Sequence, residues 1–128
     1  MDPMTTHGAF SWVEFQGDGD AAGKAQNFYQ QVLGWQVIDM PMADGGTYAG
    51  ITVGEKPVGG FSDKGAGQGQ WLPYVTVDQV DERVRVAEEA GGQILAPAFD
   101  APGVGRIAVV QDPLGARIAF IQYEAPAS

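Results

Sequence analysis

Two apolar runs, Ile107–Gln111 and Ala116–Gln122, flank the tetrapeptide Asp112-Pro113-Leu114-Gly115. Proline presets φ at the second position of a type I turn and glycine suits the fourth, while Ile, Val and Phe on either side favour extended chain. The segment Gly103 to Gln122 is therefore predicted to form a β-hairpin. Just ahead of it, Ala90-Gly91-Gly92-Gln93-Ile94-Leu95 reads as a helix end that breaks on glycine into another strand. The resulting order is helix, strand, strand, strand.

The same order occurs earlier. Gly34-Trp35-Gln36-Val37-Ile38 lines up with Gly91-Gly92-Gln93-Ile94-Leu95, and at the same offset Ile51-Thr52-Val53 falls on Ala108-Val109-Val110. Phe10–Gln16 and Leu72–Asp78 are both strand-like and each precedes a helical pattern. These features predict an α+β chain of two βαβββ modules, about 10–61 and 71–122, joined by a linker over 62–70 that carries no large apolar residue. Few identities match between the halves, so the repeat rests on pattern, and two unrelated α+β halves would look alike. With 128 residues the chain is expected to be a single domain, since modules of about 50 residues are marginal alone.

Within the first module, alternation puts Trp12, Glu14 and Gln16 on one face of a strand and Ser11, Val13 and Phe15 on the other. Asp18 or Asp20 in the following turn can cap a helix over Ala21–Leu33, in which Ala22, Ala25, Phe28, Tyr29, Val32 and Leu33 follow helical spacing. Val13 and Phe15 are expected to pack beneath Phe28 and Val32. Strands follow over Trp35–Met40, Tyr48–Val53 and Pro57–Phe61, with a turn through Ala43–Gly46. The second module is expected to run from Trp71–Val77 through a helix over Asp78–Ala90, with Val80, Val84 and Ala87 on one stripe, to a proline-bearing loop over Ala96–Pro102. Met1–Thr6 reads as a frayed end and Glu124–Ser128 as a tail.

Seven Lys and Arg against sixteen Asp and Glu give a net charge of −9, which repels phosphate backbones and anionic bilayers. This predicts no nucleic-acid partner and no membrane partner. The chain has no cysteine, hence no disulfide framework and no thiol chemistry, and it is expected in a reducing cytoplasm. No signal peptide or long apolar run is read in it.

Set in this layout, the motifs Trp12-Val13-Glu14-Phe15, Asn27 to Trp35 (NFYQQVLGW), Pro57-Val58-Gly59-Gly60-Phe61, Tyr74-Val75-Thr76-Val77-Asp78, Ala90-Gly91-Gly92, Gly103-Val104-Gly105-Arg106 and Asp112 to Ala116 (DPLGA) resemble the vicinal oxygen chelate superfamily. That superfamily includes glyoxalase I, extradiol dioxygenases and the fosfomycin- and bleomycin-resistance proteins. The resemblance implies that the sheets curl into a cup-shaped mixed sheet with the helices outside and a small molecule bound within. Its enzymes hold a divalent metal with about four side chains, usually His and Glu, and the motifs place those positions near Trp12, Gly60, Leu72 and Ala119. None of these four can ligate a metal. The resemblance therefore implies the metal-free, bleomycin-resistance-like branch, with no cofactor. The alternative is a lyase, isomerase or dioxygenase with a carboxylate metal site.

The candidate ligand-binding residues are Trp12, Glu14, Tyr48 and Tyr74. Glu14 lies between Val13 and Phe15 in an apolar strand, where an ionised carboxylate is costly unless paired or wet. It is either a site residue or a structural partner of the backbone or of an arginine such as Arg117. Trp12 is either a stacking wall for a flat ligand or the filler of a cavity. Tyr74 and Thr76 hold the equivalent face of the second module, and Tyr48, Trp35 and Trp71 are either further aromatic wall or core. His7, the one histidine, reads as a solvated terminal residue, and Asp112 as turn chemistry. A homodimer is expected, through a short, glycine-rich edge strand at Pro57–Phe61.

Overall fold

The alternating and helical patterns are realised in a computed structural model that describes residues 1–43, 45–64 and 69–124. The order is β1 (Phe10–Gln16), α1 (Asp20–Leu33), β2 (Gln36–Pro41), β3 (Thr47–Val53), β4 (Lys56–Ser62), β5 (Gln70–Thr76), α2 (Val80–Glu89), β6 (Gln93–Ala101), β7 (Gly105–Gln111) and β8 (Arg117–Tyr123). This is the α+β class, βαβββ twice over. The expected turn at Asp44, the middle of the linker and the last residues of the tail lie outside the described residues. The chain divides into a unit of Trp12–Leu72, here the first unit, and a second unit of Met1–Ser11 with Pro73 onward.

In the first unit the strand order is β2-β3-β4-β1. β1 and β4 run parallel, with Val13 opposite Gly59 and Glu14 opposite Gly60. β4 is thus an inner strand and not the free edge expected at Pro57–Phe61, because its two sides are taken by β3 and β1; β2 is the outer strand. Phe15, Ile51 and Phe61 form the core, with Ala25, Tyr29, Trp35, Val37, Ala49 and Trp71 packed on it. Trp35 and Trp71 are therefore core and not site wall. Tyr29 stacks on Trp35 at 5.6 Å between ring centroids, and its hydroxyl accepts from Trp71 Nε1 at 3.3 Å.

α1 packs by a face other than the expected one. Ala22 is buried and Ala25 and Tyr29 reach the core, whereas Phe28, Val32 and Leu33 are each more than half exposed. Small alanines let the helix lie close to the sheet, and Tyr29 then fills the aromatic cluster, which turns Phe28 and Val32 outward. Val13 is exposed too. The helix is not capped by an aspartate side chain: Gly19 is the N-cap at φ 48°, and Asp18 contributes only its carbonyl, to the Ala21 N–H. It ends as expected on Gly34, left-handed at φ 69°, whose N–H closes on the Gln30 carbonyl.

The second unit has the strand order β5-β8-β7-β6. Val77, Val80 and Ala108 form its core, with Val75, Val84, Ala98 and Phe120 against them. The β7–β8 turn matches its motif, with Asp112 Oδ1 accepting from the N–H groups of Leu114 and Ala116 and the Gly115 N–H closing on the Asp112 carbonyl. The expected loop at Ala96–Pro102 is instead the second half of β6. Proline is tolerated there because β6 is the outer strand of this unit and its register slips between Ile94 and Ala96 and again before Phe99, around Pro97. The N-terminal residues are also ordered. Thr76 Oγ1 donates to the Pro3 carbonyl at 2.7 Å, Thr76 exchanges backbone bonds with Gly8 and Ala9, and half-exposed His7 accepts the Asp78 N–H at Nδ1. Arg106 bridges Asp81 on α2 and Asp100 on β6, and its hydrogen bonds hold the Asp81 carboxyl below its ordinary range. Burial pushes the Tyr123 phenol up, partly offset by its bond to Ser11.

Candidate functional site

Phe15 points towards α1, so strand alternation carries Trp12, Glu14 and Gln16 to the opposite face of the first unit's sheet. All three are half-buried. On β3, Ala49 and Ile51 point to the helix side, which sends Tyr48 to the same face as Glu14. The strand between them is β4, and at the position that separates them it carries Gly60.

That glycine makes the site. Tyr48 reaches across β4, and a Cβ built on Gly60 would lie 2.1 Å from Tyr48 Cε2 and 2.3 Å from its hydroxyl. No other residue leaves room for the ring. The Tyr48 hydroxyl donates to Glu14 Oε2 at 2.8 Å and accepts from Trp12 Nε1 at 3.2 Å. Gln16 Nε2 donates to Glu14 Oε1 at 2.8 Å. The Trp12 and Tyr48 rings are 6.3 Å apart, tilted by 33°. Hydrogen bonds to both carboxylate oxygens satisfy Glu14 between its apolar neighbours. The chemistry available is an acceptor, a phenol hydroxyl and an indole face on one surface.

Three of the four predicted site residues are thus brought together by hydrogen bonds. Tyr74 belongs to the second unit, where it is buried, paired with Ala119 of β8 and on the face away from α2. Gln16 enters the cluster as a donor to Glu14; its place two residues beyond Glu14 in β1 was the available signal. The part Gly60 plays in admitting Tyr48 was not legible, because it depends on which strands become neighbours.

The four positions that the resemblance assigns to metal ligands do not fit a metal. Indole nitrogen carries no lone pair to give, Gly60, Leu72 and Ala119 have no donor atom, and a side chain at Gly60 would collide with Tyr48. Among the described residues no three His, Asp or Glu side chains group so as to hold an ion.

The sequence profile of the Glyoxalase/Bleomycin resistance protein/Dioxygenase superfamily matches residues 19–120, most of the chain. The chain belongs to that superfamily. Among curated relatives, “Putative glyoxylase CFP32” of Mycobacterium tuberculosis is 34% identical over 121 residues, covering 90% of this chain and 46% of the relative. The “Anthracycline biosynthesis protein DnrV” of Streptomyces peucetius is 31% identical over 128 residues, covering 88% of this chain and again 46% of the relative. The chain therefore spans just under half the length of these curated relatives. In structure it is similar to methylmalonyl-CoA epimerase from Mycobacterium tuberculosis, with TM-score 0.61, 14% identity and coverage of 94% of this chain and 92% of that one. It is likewise similar to the hypothetical protein BH1468 from Bacillus halodurans, with TM-score 0.63, 13% identity and coverage of 93% and 96%. At such identities the likeness is one of fold. No helix among the described residues is long and apolar enough to cross a membrane.

Proposed function

We propose that this glyoxalase-superfamily chain binds a small organic molecule without a metal, on the face that carries Trp12, Glu14, Gln16 and Tyr48. The observation that supports this is the held carboxylate: Glu14 is kept half-buried on the sheet face away from α1 by Tyr48 and Gln16, beside an indole plane. A carboxylate accepts from about four directions, so a ligand amine or hydroxyl can bond to it there or take the place of a protein donor. Trp12 supplies the flat surface on which such a ligand stacks. The anthracycline-biosynthesis relatives favour including an anthracycline aglycone among the first probes. The reading also carries a homodimer in the cytoplasm; a cysteine-free chain suits a reducing compartment, and light scattering at micromolar concentration decides the mass.

The test is a thermal-shift screen of amines, hydroxylated arenes and the aglycone, because a ligand that binds only the folded chain raises its melting temperature. Glu14→Gln keeps the shape and removes the charge. It is expected to weaken a ligand found in the screen while costing little stability. A loss of about 1–3 kcal/mol with unchanged affinity would mean that Glu14 is only a structural acceptor. Elemental analysis giving near-stoichiometric metal that is lost in Glu14→Gln would instead favour the metal-dependent lyase, isomerase or dioxygenase.

A further inference from the structure

Gly60 is not alone. Its neighbour in register on β3 is Gly50, and a Cβ built there would lie 2.3 Å from Met40 Sδ and 3.1 Å from Met40 Cγ. Met40 and Tyr48 are themselves a register pair of β2 and β3, so both covering side chains stand at one end of the two-glycine floor and lie back over it. Glycine inside a strand weakens the strand, and it marks places where a ligand or another backbone comes close. Here the side-chain atoms nearest the floor belong to Met40 and Tyr48, each half-buried. Either can leave by rotation about its own χ angles, without movement of the backbone.

The hydrogen bonds of Tyr48 say what fits in its place. Its hydroxyl lies at the end of a flat ring, donates to Glu14 and accepts from Trp12. An ether oxygen cannot donate to the carboxylate, and a protonated amine has no lone pair with which to accept from the indole. Adjacent strands lie about 4.8 Å apart, so a floor two strands wide is broader than one ring and accommodates two fused ones. We infer that the Gly60–Gly50 floor, ended by Glu14 and Trp12, is a slot for a planar fused-ring phenol, and that Tyr48 and Met40 fill it with the chain's own phenol and thioether until such a ligand displaces them. This rests on the small-molecule reading above and names its ligand class.

The probes are 2-naphthol and its methyl ether, titrated calorimetrically. Tyr48→Ala removes the internal competitor and is expected to bind 2-naphthol at least about tenfold tighter than the unaltered chain, since affinity is reduced by the fraction of protein whose site is closed. The methyl ether should not share the gain, and adding Glu14→Gln should cancel it. Should Tyr48→Ala fail to fold, the unaltered chain provides the second measurement: the Met40 methyl resonance, assigned by Met40→Leu, is expected to shift on adding 2-naphthol and to stay in place on adding the ether. Equal binding of alcohol and ether, no gain in folded Tyr48→Ala, or an unmoved Met40 methyl overturns the inference. A ligand from the thermal-shift screen that depends on Glu14 but carries no phenol would overturn it and leave the broader reading standing. Loss of Glu14 dependence for every ligand would remove both.

Discussion

The two units share one topology and differ in what they put on the sheet face away from the helix. In the first unit the β1–β4 pair presents Glu14 opposite Gly60, and in the second the matching β5–β8 pair presents Tyr74 opposite Ala119. Around Glu14 stand Trp12, Gln16 and Tyr48, all half-buried and joined by hydrogen bonds. Around Tyr74 stand Thr76, Ile107, Ala119 and Ile121, all buried. A duplicated backbone thus carries a half-buried polar surface in one copy and a buried, mostly apolar one in the other. The lesson is that the chemistry follows the side chains at a few paired positions, and above all the absence of one at Gly60.

The helix side differs as well, and this predicts the largest effect. The first unit's core is aromatic, with Phe61 within 7 Å, ring to ring, of Phe15, Tyr29, Trp35 and Trp71. Phe61→Ala should cost about 3–5 kcal/mol in denaturant melts. A smaller loss than that of Val80→Ala, in the second unit's core, would show that the aromatic cluster is not the stronger of the two cores.

Exchanging the small residues at the paired positions sharpens the contrast. Gly60→Ala places a methyl in the Tyr48 ring and should cost about 1–3 kcal/mol by overpacking, or release Tyr48 from Glu14. Ala119→Gly, at the matching position, should cost only about 0.5–1 kcal/mol, the backbone penalty of glycine in a strand. Comparable losses would mean that the glycine is not what admits Tyr48.

Thr76→Val keeps the shape of its side chain and removes the bond to the Pro3 carbonyl. The expected cost is about 0.5–1.5 kcal/mol, with faster amide exchange confined to the N-terminal residues. Unchanged exchange there would show that the backbone bonds of Gly8 and Ala9 hold the segment by themselves.

The smallest effect is that of acid, and it belongs to the second unit. The Arg106 hydrogen bonds depress the Asp81 carboxyl in the folded chain, so the stabilisation is present above the unfolded pKa and is lost as pH falls through the folded value, below about 4. Asp81 is solvent-exposed, which keeps the effect small. Amide exchange of α2 should quicken in that window, and Asp81→Asn should remove the change.

Much of the fold was legible because its signals are local. Alternation in Phe10–Gln16, the helical spacing that ends on Gly34, and proline with glycine around Asp112 are each set within a few residues, and each forms at nearly the expected place. The same alternation put Trp12 and Glu14 on one face. Where the sequence misled, the reason was tertiary: Pro97 is a poor strand residue until an outer strand with a slipped register accepts it, and Phe28 and Val32 suit a core until alanines bring α1 close by another face. Tertiary structure alone decided that β4 enters between β3 and β1, since pairing of strands far apart in the chain depends on packing that no short window records. That insertion places a glycine between Tyr48 and Glu14, and so turns a carboxylate in an apolar strand into the centre of a hydrogen-bonded site.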